Sequence, residues 1–216
     1  MTYADYKRVY VSRDSAYGGD KAGIKIKHAL KFETSEAASR YFGGSVATWE
    51  KSLTENERLA VEKYSGNYYR VVNNYLRGRY VDSDFKAAEL RELKATIENL
   101  DSAIEKFVLT DNVKVYRQCD YRMLKLLKNS PEGIFRDEGY FSTSAVLGSV
   151  TSKDITLEIE ILKGNGRGAF IDSLSVNKGE NEFLVARNSE FKILKIIELP
   201  EGKLKIELEM AGGGDE

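Results

Sequence analysis

The sequence predicts an α+β fold, with helices in the first half packed on a mostly antiparallel sheet or sandwich built from the second. Three observations predict it. Leu90, Leu93, Ile97, Leu100, Ile104 and Phe107 recur at spacings of three and four, which describes one buried helical stripe. Beyond Asp111 the period changes to short β-rich runs (VKVYRQ, GYFSTSAV, ITLEIEIL, GAFID, NEFLVARN, EFKILKIIEL and KLKIELEM) separated by Gly, Asn and Pro. In ITLEIEIL, Ile155, Leu157, Ile159 and Ile161 alternate with Thr156, Glu158 and Glu160, the pattern of a half-buried strand.

The elements follow in order. A loop-like start containing Gly18 and Gly19 precedes SEAASRYF, a helix expected to begin near Ser35. Thr54 followed by Glu57 is a capping box that opens TENERLAVEKYSG, with Gly66 as its expected stop. NYYRVVNNYLRG forms a short helix ending at Gly78, and the striped helix starts from Asp84. This divides a single domain over 1–216 into a helical part at about 20–110, a β core at about 111–210 and a frayed tail at 211–216.

Composition narrows the function classes. The 216 residues are 42% hydrophobic and 31% charged, enough for a real core under a well-solvated surface. Lys and Arg number 33 against 34 Asp and Glu, so no global field selects nucleic acid or a membrane. The one cysteine, Cys119, excludes an internal disulfide framework, and the one histidine, His28, excludes His-based metal clusters. No apolar run approaches transmembrane length. The opening MTYADYKRVYVSRDS lacks the apolar region of a secretory signal. The chain is therefore expected to be intracellular or a domain of a larger secreted or injected protein.

Three polar features stand on or beside the strands. Arg117 follows Tyr116 in VYRQCD, and its guanidinium fork suits a phosphate or carboxylate. Ser142, Thr143 and Ser144 run together in GYFSTSAV, and Glu180 and Glu182 flank Asn181 before FLV. On a strand, period two would put both carboxylates on one face, where like charges perturb each other's protonation. Each feature alone also has an ordinary structural reading: a surface charge, cross-strand hydroxyls, a solvated strand face.

In this order, aromatic-Arg, Ser-Thr-Ser and Glu-x-Glu resemble the Arg-Ser-Glu signature of mono-ADP-ribosyltransferases. The stretch ATWEKSLTENERLAVEKYSGNYYRVVNNYLRG is similar to the helices of one branch, the catalytic domains of clostridial and bacillary actin-modifying binary toxins and Rho-modifying exoenzymes. The likeness spans about Trp49 to Ile197. It implies two packed antiparallel sheets with a helical flap around a cleft for NAD, a co-substrate used without metal. It further implies that Arg117 holds the dinucleotide phosphates, with Gln118 beside it, and that Ser142 positions the cleft while Thr143 and Ser144 brace the strand. Glu182 would face the ribosyl cation as the catalytic glutamate, and Glu180 would orient and deprotonate the acceptor. Tyr64, Tyr69, Asn73 and Arg77 would border NAD, the tyrosines having core packing as their other reading.

The resemblance implies transfer of ADP-ribose to an arginine of a protein, since Glu at position 180 goes with arginine acceptors and Gln with asparagine. Other readings are NAD hydrolysis, asparagine modification, or an inactive binding module of a toxin or phage particle. Departures from the pattern bear on the target. Gln118 stands where relatives often carry Gly or Arg. AVLGSVTSKD lacks the usual Phe and Arg clamp, with Lys153 as a replacement, and SLSVNKGENE lacks a target-recognising aromatic. The expected partners are a protein substrate, actin-like among the candidates, and a delivery subunit or parent toxin chain, with secretion or delivery into a host cell; a bacterial cytoplasmic or phage-associated site is the alternative.

Overall fold

A computed structural model describes residues 29–149 and 153–211. The expectations for Gly18–Gly19, for His28 and for the tail beyond Ala211 lie outside the described residues, as does the middle of the loop after Ser144.

Helix α1, Ser35–Ser52, begins where the sequence places it, with Thr34 as N-cap accepting from the Ala37 amide at 3.2 Å. Helix α2, Glu55–Lys63, opens on the expected capping box: the Thr54 amide donates to Glu57 Oε2 at 2.7 Å and Thr54 Oγ1 accepts from the Glu57 amide at 3.3 Å. Gly66 breaks the helical backbone where the sequence places the stop, with ψ at −128°. It kinks the π-type turn Tyr64–Tyr68, beyond which a second helix, α3, runs over Tyr69–Leu76. Gly78, at φ +68°, closes α3 as expected. Helix α4, Ala87–Glu105, turns Leu93, Ile97, Leu100 and Ile104 into the core, with Phe107 buried just beyond it.

The strands are β1, Val108–Leu109; β2, Val113–Cys119; β3, Ile134–Asp137; β4, Phe141–Ser144; β5, Ile155–Ile161; β6, Gly164–Asn165; β7, Gly168–Phe170; β8, Glu182–Val185; β9, Ser189–Glu198; and β10, Leu204–Met210. One helix among them was not foreseen: α5, Tyr121–Lys128, capped by Asp120 and anchored by buried Leu124 and Leu127. β5 has its four aliphatic residues buried, but Glu158 on its polar face is buried too, neutralised by Lys31, Lys114 and Lys205.

Strands β1 and β6 form a small sheet, and the other eight run in the order β3-β9-β10-β5-β2-β4-β8-β7. Among these strands all pairings are antiparallel except β10 with β5. The ladder has a seam. β2 matches β5 over seven residue pairs but meets β4 only at Tyr116 opposite Ser144. There the sheet folds over: the Phe141 ring of β4 lies 5.7 Å from Phe191 of β9 and 6.2 Å from Phe135 of β3, strands at the far end of the ladder. The result is two β layers in contact through aromatic rings, the arrangement the resemblance implied. The helices cover the β7–β8 layer, where Phe42 of α1 stacks on Phe170 at 4.5 Å and Trp49 meets Phe107 edge-on. Trp49 Nε1 also donates to the Ala103 carbonyl at 2.6 Å, locking α1 to α4.

Candidate active site

The seam and the kinked turn between α2 and α3 together frame a cleft of about 740 Å³. Its lining includes Arg117, Ser142, Glu180, Glu182, Tyr64, Tyr69, Asn73 and Arg77. Eight of the nine residues singled out in the sequence therefore converge on one space, although 118 positions separate the first from the last.

Arg117 is held from two sides. Its Nη1 donates to the Ser142 carbonyl, and its guanidinium lies 4.5 Å from the Phe141 ring centroid. The pairing of β2 with β4 lapses after Tyr116, so Arg117, still paired to β5, borders the gap that opens between the two strands. Ser142 is half-buried, and its hydroxyl favours the ionised form of both Tyr64 and Glu182, opposing the rise that burial causes. Its neighbours brace β8, as the resemblance implied: Thr143 Oγ1 donates to the Phe183 carbonyl at 2.6 Å and Ser144 Oγ to the Glu180 carbonyl at 2.8 Å.

The two glutamates do not share a strand face. β8 begins only at Glu182, Glu180 lies in the preceding turn, and Asn181 between them sits at φ +52°. Strand alternation is thus not what joins them. The left-handed residue reverses the chain, and Asn sustains it because its side chain bonds locally. Buried Asn181 donates from Nδ2 to Ser35 Oγ at 2.9 Å and to the Gly179 carbonyl at 3.1 Å. Glu180 is left exposed, whereas Glu182 is only 8% exposed. Burial pushes the Glu182 carboxyl up to about 7, with Glu180 and Asp172 adding to the rise and Ser142 and Arg117 opposing it.

On the helical wall, the Tyr64 hydroxyl accepts from Asn73 Nδ2 at 3.0 Å, and burial raises its phenol far above the usual range. Asn73 also pins the start of β4: its Oδ1 accepts from the Tyr140 amide at 2.9 Å, and its Nδ2 is 3.2 Å from the Tyr140 carbonyl. Arg77 is clamped by the carboxylate of buried Asp137 through Nε at 2.8 Å and Nη2 at 2.9 Å. Gly139 permits this approach, since a Cβ there would stand 2.7 Å from Asn73 Oδ1 and 3.1 Å from Arg77 Cζ. Tyr64 is therefore both core and cleft wall, while Tyr69 is 38% exposed with its ring edge-on to Tyr64.

Gln118 departs from expectation. It does not line the cleft, because the strand turns it away from the side that Arg117 takes, and its Oε1 instead accepts from the Lys153 amide at 2.7 Å. Lys153 is exposed, and its link to Gln118 is through the main chain. Sequence reasoning missed Asp137, Gly139 and Asp172, which hold site residues through long-range contacts that no local pattern announces. It also missed Arg70, Arg79 and Arg122, which line the same cleft.

The sequence model of the ADP-ribosyltransferase exoenzyme family matches residues 40–211. The chain belongs to the ADP-ribosyltransferase exoenzyme family. Among curated proteins it is 28% identical over 193 residues to the "Putative NAD(+)--arginine ADP-ribosyltransferase Vis" of Vibrio splendidus (strain 12B01), covering 80% of this chain and 73% of that one. Among solved structures it resembles Plx2a, an ADP-ribosyltransferase toxin from Paenibacillus larvae, at a TM-score of 0.73 and 26% identity, covering 85% of this chain and all of that one. The structure of C3stau2 from S. aureus with NAD superposes at a TM-score of 0.70 over 85% of this chain and 99% of that one, a likeness of fold at 22% identity. The α+β architecture is thus that of the ADP-ribosyltransferase toxins, and NAD is the substrate of these enzymes.

Proposed function

We infer that this ADP-ribosyltransferase exoenzyme transfers ADP-ribose from NAD to an arginine of a target protein. One observation carries the reading: a buried, charge-perturbed glutamate and an exposed glutamate two residues earlier enter the same cleft as Arg117 and Ser142. The name of the relative Vis supports arginine as acceptor. Helices and strands contribute to a single apolar cluster, which supports treating both halves of the chain as one catalytic unit.

In this reading Arg117 binds the NAD diphosphate, its fork oriented in advance by the Ser142 carbonyl and the Phe141 ring. Tyr64 and Tyr69 supply an aromatic wall, and Asn73 and Arg77 hold the loop that leads into β4. Arg77 acts mainly through Asp137, with its cleft-facing edge available to a phosphate. The bond between ribose C1′ and the nicotinamide nitrogen breaks, and its electron pair leaves with neutral nicotinamide. The positive charge that develops on the ribosyl ring is stabilised by ionised Glu182, which also accepts a hydrogen bond from the ribose 2′-hydroxyl. A guanidine nitrogen then forms the new bond to C1′, and the proton it releases goes to Glu180, which is open to solvent and to an incoming protein.

The partner is accordingly a protein with an accessible arginine, an actin-like protein being a candidate, reached after delivery into a host cell by a second subunit or a longer parent chain. The test is incubation with labelled NAD and animal-cell or bacterial lysate beside a Glu182→Ala control, with modified residues located by mass spectrometry. Label on arginine that depends on Glu182 supports the reading. Label on asparagine overturns the acceptor assignment, and nicotinamide release without labelled protein marks an NAD glycohydrolase.

A further inference from the structure

Asp172 lies just beyond β7 and eight residues before Glu180, and the reaction scheme above gives it no task. Its half-buried carboxylate nevertheless organises the turn that carries both glutamates. Oδ1 accepts from the Asn181 amide at 2.7 Å, while the Gly179 amide is shared between Oδ1 at 3.1 Å and Oδ2 at 3.2 Å. The residues on either side of Glu180 are therefore tied to one carboxylate. Both have left-handed backbone, Gly179 at φ +91° and Asn181 at φ +52°, which these residue types adopt readily but share with other conformations, so the carboxylate selects this one.

The anchor itself is rigid. The Ile171 amide donates to the Glu182 carbonyl at 2.9 Å, and the Leu174 and Ser175 amides both donate to the Ile171 carbonyl at 2.9 Å. Asp172 is thus referenced directly to the strand that carries Glu182. On the other flank the Glu180 carbonyl accepts from Ser144 Oγ at 2.8 Å, and the Asn181 carbonyl from the Ala145 amide at 2.9 Å. The main-chain groups of Gly179 and Asn181 and the carbonyl of Glu180 are thus all hydrogen-bonded.

The geometry points to Asp172 as a positioning residue: by clamping the Gly179 and Asn181 amides it sets where Glu180 stands relative to Glu182, and so how well cleavage of NAD is coupled to capture of the ribosyl group by a guanidine rather than by water. The inference rests on the proposed roles of Glu180 and Glu182. It does not involve NAD binding, because Arg117, Tyr64 and Asn73 reach the cleft from other elements. Loss of the clamp lets Glu180 wander while Glu182 stays on its strand, so cleavage persists and capture fails.

Two measurements on the whole protein test this, using NAD and agmatine, a small alkylguanidine, as acceptor. The first is the ratio of ADP-ribosylagmatine formed to nicotinamide released. Asp172→Ala is expected to lower that ratio about tenfold with KM for NAD changed by less than about threefold. Asp172→Asn keeps an Oδ1 acceptor for the Asn181 amide and is expected to restore most of the ratio. The second is amide hydrogen exchange without NAD, in which Asp172→Ala is expected to expose the Gly179 and Asn181 amides about tenfold or more while β8 keeps its protection. An unchanged ratio in a folded Asp172→Ala protein overturns the proposal, as do unchanged exchange at both amides or an Asp172→Asn protein no better coupled than Asp172→Ala. If Asp172→Ala does not fold, Asp172→Asn decides alone: a ratio reduced more than about tenfold overturns the clamp and a ratio near wild type upholds it. A wild-type protein that releases no nicotinamide refutes the functional reading instead, and the exchange data still report on the clamp.

Discussion

In the proposed mechanism Glu182 concentrates the chemistry of the site in one buried carboxyl. Its proton is held up to about pH 7 against an ordinary value of 4.5, so the folded protein binds that proton more tightly than the unfolded chain does. The stability this contributes is complete below pH 4.5 and lost as pH rises through about 7, on the order of 3 kcal/mol at most. Glu182→Gln, which keeps the shape without the ionisation, should therefore melt higher than wild type at pH 8 and about equally at pH 4, as thermal denaturation would show. Activity runs the other way. In the proposed mechanism only ionised Glu182 stabilises the ribosyl cation, so kcat/KM for NAD should climb with pH and level off above about 7. The site is then one where function opposes stability.

The exposed partner has a different signature. Glu180→Gln should leave nicotinamide release within about tenfold of wild type while guanidine modification falls by about 10² or more, since a general base contributes about that much. Equal losses in both reactions would place Glu180 in cleavage rather than capture. The residue types at these positions were legible in the sequence because their order along the chain is distinctive. Their geometry was not. Period-two reasoning assumed that a strand carries both carboxylates, whereas Asn181 at φ +52° turns the chain so that they meet by a reversal.

At the scale of elements, what the sequence revealed was what local periodicity encodes. The capping box at Thr54 and Glu57, the stripe of α4 and the alternation of β5 each stand where read. Helix α5 escaped because it is eight residues long with only Leu124 and Leu127 as a buried pair, although Asp120 was a usable N-cap signal. Gly66 was legible as the break in the helix, although a glycine after an aromatic and a serine announces no more than a stop. Tertiary contacts instead use the kink: the Val176 amide donates to Ser65 Oγ at 3.0 Å and Asn177 Nδ2 to the Ser65 carbonyl at 2.9 Å, docking the glutamate turn on the helices. The junction of α3 with β4 makes a sharper prediction. Gly139→Ala would push against Asn73 Oδ1 and the Arg77 guanidinium, costing about 1–3 kcal/mol in stability and raising KM for NAD more than it lowers kcat. A Gly139→Ala protein with wild-type Tm and KM would contradict that view of the junction.

Over the whole molecule, the cleft exists because a single ladder is folded at a weak seam, with helices closing one side. Fold class could be anticipated from the pattern of elements and the two layers from the resemblance, but the position of the seam could not, since it depends on which residues β2 and β4 fail to pair. Phe141 holds the fold-over shut by reaching Phe135 and Phe191, and its ring also backs Arg117. Phe141→Ala should accordingly cost about 3–5 kcal/mol by denaturant titration and weaken NAD binding in the fraction that remains folded. Similarity to ADP-ribosyltransferase toxins in fold and sequence supports NAD as substrate, whereas chemistry at this seam and arginine as acceptor are proposals that this chain's own residues carry. The most direct measurement follows nicotinamide release and the site of ADP-ribose attachment together, with wild type and Glu182→Gln side by side on protein acceptors. The account predicts stoichiometric attachment to arginine by wild type and loss of both products by about 10² or more in Glu182→Gln. NAD cleavage that survives Glu182→Gln, or ADP-ribose found on asparagine, would contradict it.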